Sequence, residues 1–340
     1  MFISIGKAKE AVLAVLKVGL VPMLHGSPGT AKSALARQIA DEASLELVDI
    51  RLSTVDPTDL NGFIFPNKET MKADYMPVAT FPVERDPLPK GKKGWLLFLD
   101  EINSAPQAIQ AAAYKLILDK KVGQLNLHKS VAIMAAGNLM SDKAIVNKSS
   151  TAMQSRMIHL QIQMEHKAWV EWAENNNIDH RVIAFINFRP ELLHKFDPNH
   201  NDLTFPCART HDFVSRLITP YPDALPEIMI PIIEGTIGEG AGREFTTFCE
   251  IYGDLITIDD ILADPTGCKV PDEPATLYAI MGMIGSNTTV KNFETLYKYI
   301  ERMDAEFEAV TMRGCCRRCP QITQSSSWKK ATLKYAKEYM

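Results

Sequence analysis

The chain is short of several things, and each shortage narrows what it can be. No segment reaches the ~18 uninterrupted apolar residues of a membrane span. Met1 to Leu24 is apolar enough to invite a signal-peptide reading, but Lys7, Lys9, Glu10 and Lys17 interrupt it. The expected compartment is therefore the cytoplasm, with no membrane partner. Cysteine is sparse, with six in 340 residues, unevenly placed, which argues against a secreted disulfide framework. Cys315, Cys316 and Cys319 cluster, with His211 as the one suggestive distant partner for zinc; three thiols without a second pair read first as reduced structural or surface thiols. A large excess of one charge sign is missing too. The formal net charge is −4, so nothing in the balance advertises nucleic acid. Low-complexity tracts and short repeats are absent. What remains, 46% hydrophobic and 23% charged, suits an ordinary globular protein with room for two or three domains.

Against that plain background, Gly26-Ser27-Pro28-Gly29-Thr30-Ala31-Lys32-Ser33 stands out. It follows an apolar run, Val21 to Leu24, and opens a helix-patterned segment, Ser33 to Ala43. Strand, glycine-bearing turn and helix in that order make a P-loop. Its glycines let backbone N–H groups turn inward around phosphates, and the helix N-terminus adds positive dipole. Lys32 reaches the β- and γ-phosphates in such a loop, and the Ser33 hydroxyl ligates Mg²⁺. Ala31 stands where glycine is usual. An alanine is accommodated there if the backbone already has helical dihedrals.

Leu96-Leu97-Phe98-Leu99-Asp100-Glu101 supplies the complementary half. The apolar run reads as a buried parallel strand. Ligands of such sheets sit beyond the carboxyl ends of the strands, where the two acids emerge. Asp100 is expected to hold Mg²⁺ through water, and Glu101 to polarise the attacking water as general base. Alone, an Asp-Glu pair reads better as a helix cap; beside an upstream P-loop the catalytic reading takes precedence.

Around these landmarks the patterning alternates. A helix is expected over 5–18, strands at 45–52, 131–136 and 157–162, and a helix from Pro106 to Lys120 with the proline in its first turn. Residues 122–127 suggest a hairpin arm and 149–155 a short helix. Residues 63–94, with five prolines and a Lys-Gly-Lys-Lys-Gly run, read as an irregular exposed insertion. Beyond Glu165 the strand signal fades. Helices are expected at 166–176, 180–187, 209–218, 224–235, 276–284, 290–302 and 327–338. The glycine-rich stretch Gly235 to Gly242 follows a helical pattern, so it reads as an interhelical turn. The fold class is α/β, a mainly parallel sheet followed by helical regions.

These motifs resemble AAA+ ATPases of the MoxR type, in the clade that also holds magnesium-chelatase and dynein-like modules. The matching residues are Gly26 to Ser33, Asp59 to Gly62, Asp100 to Pro106, Ala136-Gly137-Asn138, Ala152 to Met157 and Pro206 to Arg209. The likeness is specific over residues 1 to 220 and thinner beyond. It implies a P-loop AAA+ core over 1–163, an all-helical lid over 164–255 and a helical C-terminal region over 256–340. It also implies ATP and Mg²⁺ as ligands. By this resemblance Asn138 is sensor 1, orienting the attacking water; by residue type alone it is a turn asparagine. Arg156 resembles the arginine finger that acts on the neighbouring subunit's nucleotide; otherwise it is a surface arginine at a helix end. Arg209 resembles sensor 2, although Cys207-Ala208-Arg209 replaces the more usual Ser-Pro-Arg; otherwise it forms a salt bridge near a helix start.

The resemblance further implies a hexameric ring that remodels or activates a partner protein, such as one with a von Willebrand factor A domain, with recruitment through the 63–94 insertion or the C-terminal helices. A nucleic-acid-directed motor of the same fold is the alternative, mildly disfavoured by the acidity and the lack of a helix-turn-helix. A scaffold that binds ATP but scarcely turns it over ranks third, because all the catalytic residue types are present.

Overall fold

A computed structural model describes residues 2–142, 151–199, 202–222, 224–253 and 256–338. It separates into two compact units, Met1–Glu165 with Phe196–His200, and His166–Lys195 with Asn201–Met340. In chain order the first unit contains β1 (Phe2–Ser4), α1 (Ile5–Lys17), β2 (Val21–His25), α2 (Lys32–Glu42), β3 (Leu45–Arg51), α3 (Pro57–Asn61), β4 (Phe63–Asn67), β5 (Lys72–Met76) and β6 (Gly94–Asp100). There follow α4 (Gln107–Asp119), β7 (Lys121–Val122), β8 (Leu125–Asn126), β9 (Val131–Gly137), α5 (Thr151–Gln154) and β10 (Met157–Gln163). The start of the helix expected at 149–155 lies outside the described residues.

Six of these strands form one sheet in the order β1-β10-β2-β9-β6-β3, parallel throughout. The reason is visible in β6, which is buried along its whole length. Trp95, Leu97 and Leu99 point into one core layer, with Ile109, Ala113 and Leu116 of α4. Leu96 and Phe98 point into the opposite layer, with Ala8 and Val12 of α1 and Leu35, Ala36 and Ile39 of α2. Side chains alternate across a strand, so a strand apolar at every position must be covered on both faces. Each such leucine or phenylalanine contributes about 1.5–3 kcal/mol by leaving water. This layering holds the strand ends in fixed order.

The insertion at 63–94 is more ordered than expected. β4 and β5 pair antiparallel from Phe63 opposite Met76 to Asn67 opposite Lys72. Asn67 shapes the turn: its Oδ1 accepts from the Glu69 and Thr70 N–H groups, and its Nδ2 donates to Asp74. Pro66 hid this hairpin in the sequence, yet a two-stranded ribbon is all edge, where a missing N–H is tolerated. Phe63, Ile64, Phe65, Met71, Tyr75 and Met76 are all exposed on it.

The second unit is helical among the described residues. It comprises α6 (His166–Asn175), α7 (His180–Phe188), α8 (Ala208–Ile218), α9 (Met229–Ile237), α10 (Glu239–Gly253), α11 (Ile258–Ala263), α12 (Pro274–Asn287), α13 (Phe293–Ile300), α14 (Ala305–Arg318) and α15 (Ser326–Glu338). Helices from both sides of residue 255 pack together here, with α12 lying on α7, α10 and α14. A Cβ at Gly282 would sit 2.9 Å from the Ala184 methyl, so small residues let α12 and α7 approach closely. The helix expected at 224–235 starts later, at Met229, because Pro226 precedes it and Pro231 is confined to its first turn. Gly238, at φ 90, makes the expected turn. Gly240 and Gly242 instead belong to α10, where a Cβ at Gly242 would fall 2.6 Å from Glu234 Cα.

No helix among the described residues is long and apolar enough to cross a membrane. Among them, too, no group of three or more His, Cys, Asp or Glu is placed to hold a metal. Cys315 is buried against the Thr288 hydroxyl, and burial pushes its thiol up to about 12. His211, the suggested zinc partner, is buried and bonds the Leu192 carbonyl at 2.7 Å.

Candidate functional site

β2, β6 and β9 all end at the same edge of the parallel sheet, and the turns that leave them meet there. The loop after β2 is drawn tight. Thr30 donates to the Ser27 carbonyl through both N–H and Oγ1, at 3.3 and 2.8 Å. A Cβ at Gly26 would lie 2.7 Å from Thr30 Oγ1, and Gly29 has φ 81. Ala31 does not have the right-handed helical dihedrals expected of it. Its φ of 61° and ψ of 25° are left-handed, and it stands as the residue just before α2, accepting from the Leu35 N–H at 2.9 Å. The turn that redirects the chain from loop to helix requires this conformation, which is why glycine would fit more easily.

Lys32 is 8% exposed and folds back over the loop. Its ammonium donates to the Gly26 carbonyl at 2.6 Å, the Ser27 carbonyl at 3.2 Å and Asn138 Oδ1 at 3.4 Å. These three acceptors are neutral oxygens, and an anionic phosphate oxygen accepts from an ammonium more strongly than they do. The Ser33 hydroxyl donates to Asp100 Oδ2 at 2.9 Å. A hydroxyl and a carboxylate side by side are the hard oxygen donors Mg²⁺ prefers, one or two from the protein with water completing the shell. The donor set therefore fits both groups expected from the sequence.

Glu101 is the second non-glycine residue here with left-handed backbone, at φ 56. Its N–H donates to Asp100 Oδ1 at 2.8 Å, and its carboxylate accepts a hydrogen bond from Ser53 and lies 3.6 Å from Arg51 Nε. Strain of this kind costs about 1–3 kcal/mol and gathers where geometry serves chemistry. Arg51 ends β3 and Ser53 comes two residues later, so the neighbouring strand supplies the restraint. On β3 itself, burial and then the Asp100 charge raise the Asp49 carboxyl, against the pull of Arg51 and Arg37.

Several contributors were not singled out from the sequence. Asp142, buried in the turn after Asn138, accepts from Ser27 Oγ at 3.2 Å and from the Leu139 N–H at 3.3 Å, tying that turn to the phosphate loop. Asn103 bonds the Asn138 backbone. His25, just before the loop, lies 2.8 Å from His159 Nδ1, and burial, then His159 and Lys32, lower it to about 4. Asn103 lay inside the Asp100–Pro106 motif and Ser53 in the turn-rich connector; Asp142 carried no signal at all.

The structure thus brings Gly26–Ser33, Asp100, Glu101 and Asn138 together. It does not bring Arg156 to them. Arg156 immediately precedes β10, and Met157 pairs with Val21 at the start of β2. The phosphate loop leaves the far end of β2, so at about 3.3 Å per residue the two are separated by roughly 15 Å along the sheet. Arg209 is exposed in the first turn of α8, in the second unit.

Residues 22–157 match the AAA domain of the dynein-related subfamily. This segment is an AAA domain of that subfamily. The assignment agrees with the clade that the motifs resemble, and it makes the domain a nucleotide-binding one. The AAA match ends one residue beyond Arg156, so Arg209 lies outside it. No curated protein matches the sequence. Among solved structures, a candidate ATPase from Cytophaga hutchinsonii is 15% identical with a TM-score of 0.38, over 55% of this chain and 63% of that one. NtrX from Brucella abortus is 12% identical with a TM-score of 0.37, over 96% of this chain and 66% of that one. This chain therefore spans just under two thirds of either protein's length. Both are loose likenesses of shape and bear on no residue's role.

Proposed function

We propose that this chain is a MoxR-type AAA+ ATPase that hydrolyses ATP in a ring of like subunits and uses the cycle to remodel or activate a partner protein. The observation that carries the ATPase reading is the pair of contacts across three strand ends, Lys32 to Asn138 and Ser33 to Asp100. In this reading a phosphate-binding group touches the water-orienting one, and the two metal-binding groups touch each other.

In this reading the N–H groups of the Gly26–Ser33 loop and the Lys32 ammonium hold the β- and γ-phosphates. Ser33 and Asp100 would hold Mg²⁺, which would supply positive charge to offset that of the phosphates. Glu101 takes the proton of the attacking water, and the Asn138 amide orients that water. Lys32 trades its carbonyl contacts for phosphate oxygens as the nucleotide seats. Arg156 completes the site of the next subunit. Its place at the opposite sheet edge favours this, since it cannot fold back to its own loop, and a finger of this kind supplies about 10³–10⁵ in rate. Arg209 serves as sensor 2. The hexameric ring and a client with a von Willebrand factor A domain extend the family resemblance.

The test is Lys32→Ala. Binding of a fluorescent ATP analogue should fall at least about 100-fold, since a charge-assisted contact to phosphate is lost along with the loop's own carbonyl ties. Micromolar binding in that variant would contradict the assignment.

A further inference from the structure

Asn103 lies three residues past Asp100 and is 5% exposed. Its carboxamide bonds both backbone groups of a single residue. Nδ2 donates to the Asn138 carbonyl at 2.7 Å, and the Asn138 N–H donates to Oδ1 at 3.1 Å. A side chain that gives to and accepts from one residue's backbone fixes that residue's height above the sheet and its rotation together. Neither bond alone does both.

The residue before Asn138 records the same contact independently. A Cβ at Gly137 would lie 2.3 Å from Asn103 Oδ1 and 2.7 Å from its Cγ. Gly137 is not among the positive-φ glycines, so its backbone does not demand glycine. Space for the Asn103 amide does. Met23 Cε, at 2.9 Å from the same point, is the end of a flexible side chain and can move aside. On the other side, Asn138 Oδ1 accepts from the Lys32 ammonium. Asn103 therefore stands one step behind the phosphate-facing groups, joining the acidic strand's turn to the end of β9. The Ile102 N–H, donating to the Ala136 carbonyl at 3.0 Å, braces the same junction.

We propose that Asn103 is the positioning residue for Asn138: its amide, seated over Gly137, sets where the Asn138 side chain meets the γ-phosphate and the attacking water. The proposal rests on the reading of Asn138 as the water-orienting group. Asn103 itself touches no substrate. Its effect is on turnover, through placement, and not on how tightly nucleotide is held by the β2 loop.

Three substitutions in the full chain test this: Asn103→Asp, Asn103→Ala and Gly137→Ala, with the Asn103→Ala/Gly137→Ala double variant closing a cycle. The aspartate keeps the shape but turns a donor into an acceptor facing the Asn138 carbonyl, so packing survives while the bond does not. Both Asn103 variants should lower kcat for Mg-ATP by about 10- to 100-fold, the scale of a misplacement near 1 Å. The dissociation constant for mant-ATP should stay within about threefold of wild type, because the loop contacts are untouched. Gly137→Ala should show the same split. In the Asn103→Ala background it should add no more than about twofold, since the atom it strikes is gone.

Wild-type turnover in Asn103→Asp overturns the proposal, as do equal losses in binding and kcat or multiplicative effects in the cycle. If an alanine variant does not fold, the isosteric aspartate decides the matter alone. A wild-type chain that fails to bind mant-ATP would sink the nucleotide reading itself, and this inference with it. The proposal alone fails when wild type hydrolyses ATP and Asn103→Asp does so equally well.

Discussion

Ala31→Gly should make this protein more stable, although it removes a methyl group and adds backbone freedom. Ala31 is held at φ 61°, ψ 25°, a conformation that costs an L-residue about 1–2 kcal/mol because Cβ crowds the following carbonyl. Glycine adopts it without that cost. Against that gain, glycine widens the unfolded ensemble, which costs about 0.4–1 kcal/mol relative to alanine. The methyl is only partly buried, so little burial is forfeited. The α2 hydrogen bond from Leu35 to the residue-31 carbonyl survives, being backbone on both sides. The balance is about 0.5–1 kcal/mol in favour of the variant, or roughly 2 °C in the melting of a unit this size. Scanning calorimetry of the full chain, following the transition of the first unit, would measure it. Ala31→Val provides the opposite sign, since a β-branched side chain is worse still in this region. A glycine variant that melts at or below wild type, or a valine variant that matches it, would refute the strain argument.

Ser53→Ala removes one of the bonds restraining the Glu101 carboxylate. A hydrogen bond to a charged group is worth about 1.5–3 kcal/mol, so if it must break before Glu101 accepts a proton, basal ATP turnover should rise by about 10-fold or more; a fall would mean Ser53 aims the carboxylate correctly. Arg156→Ala and Lys32→Ala subunits, each inactive alone, should partly recover hydrolysis when mixed, and no recovery in confirmed mixed assemblies would argue against a shared site. His211, fully buried and held by burial near a pKa of about 4, stays neutral while the unfolded chain's histidine takes a proton near 6.5. Stability should therefore fall as pH drops through that interval, by about 2 kcal/mol from this residue between pH 7 and pH 5. Denaturation at the two pH values should show a flatter dependence in His211→Gln, and an unchanged slope would remove His211 from the account.

The parts of the fold legible in the sequence are those where one pattern dominates. β6 could be read because every residue in it is buried, and the phosphate loop because its glycines and lysine have one common physical use. Less was legible where local chemistry conceals the pattern. Pro66 masked β4, and Gly240 and Gly242 made the start of α10 look like a turn. In the site, Lys32, Ser33, Asp100 and Glu101 are named from residue type and position, Asn138 only through the family resemblance, and the sheet brings all five together. Asn103, Asp142 and Ser53 escaped notice because their value lies in which backbone or side-chain group they reach across the fold. Ala31 was misjudged for a related reason: a substitution letter does not reveal a dihedral.

Were Arg156 to act on a neighbour as proposed, its exit at the sheet end opposite the phosphate loop would give each subunit a tongue on one side and a groove on the other. Bodies of that kind associate head to tail, and a row of them always ends with one groove unfilled and one tongue unused. Only closure would let every pocket receive a neighbour's guanidinium, so on this proposal the smallest fully competent particle would be a circle, whatever its number of members.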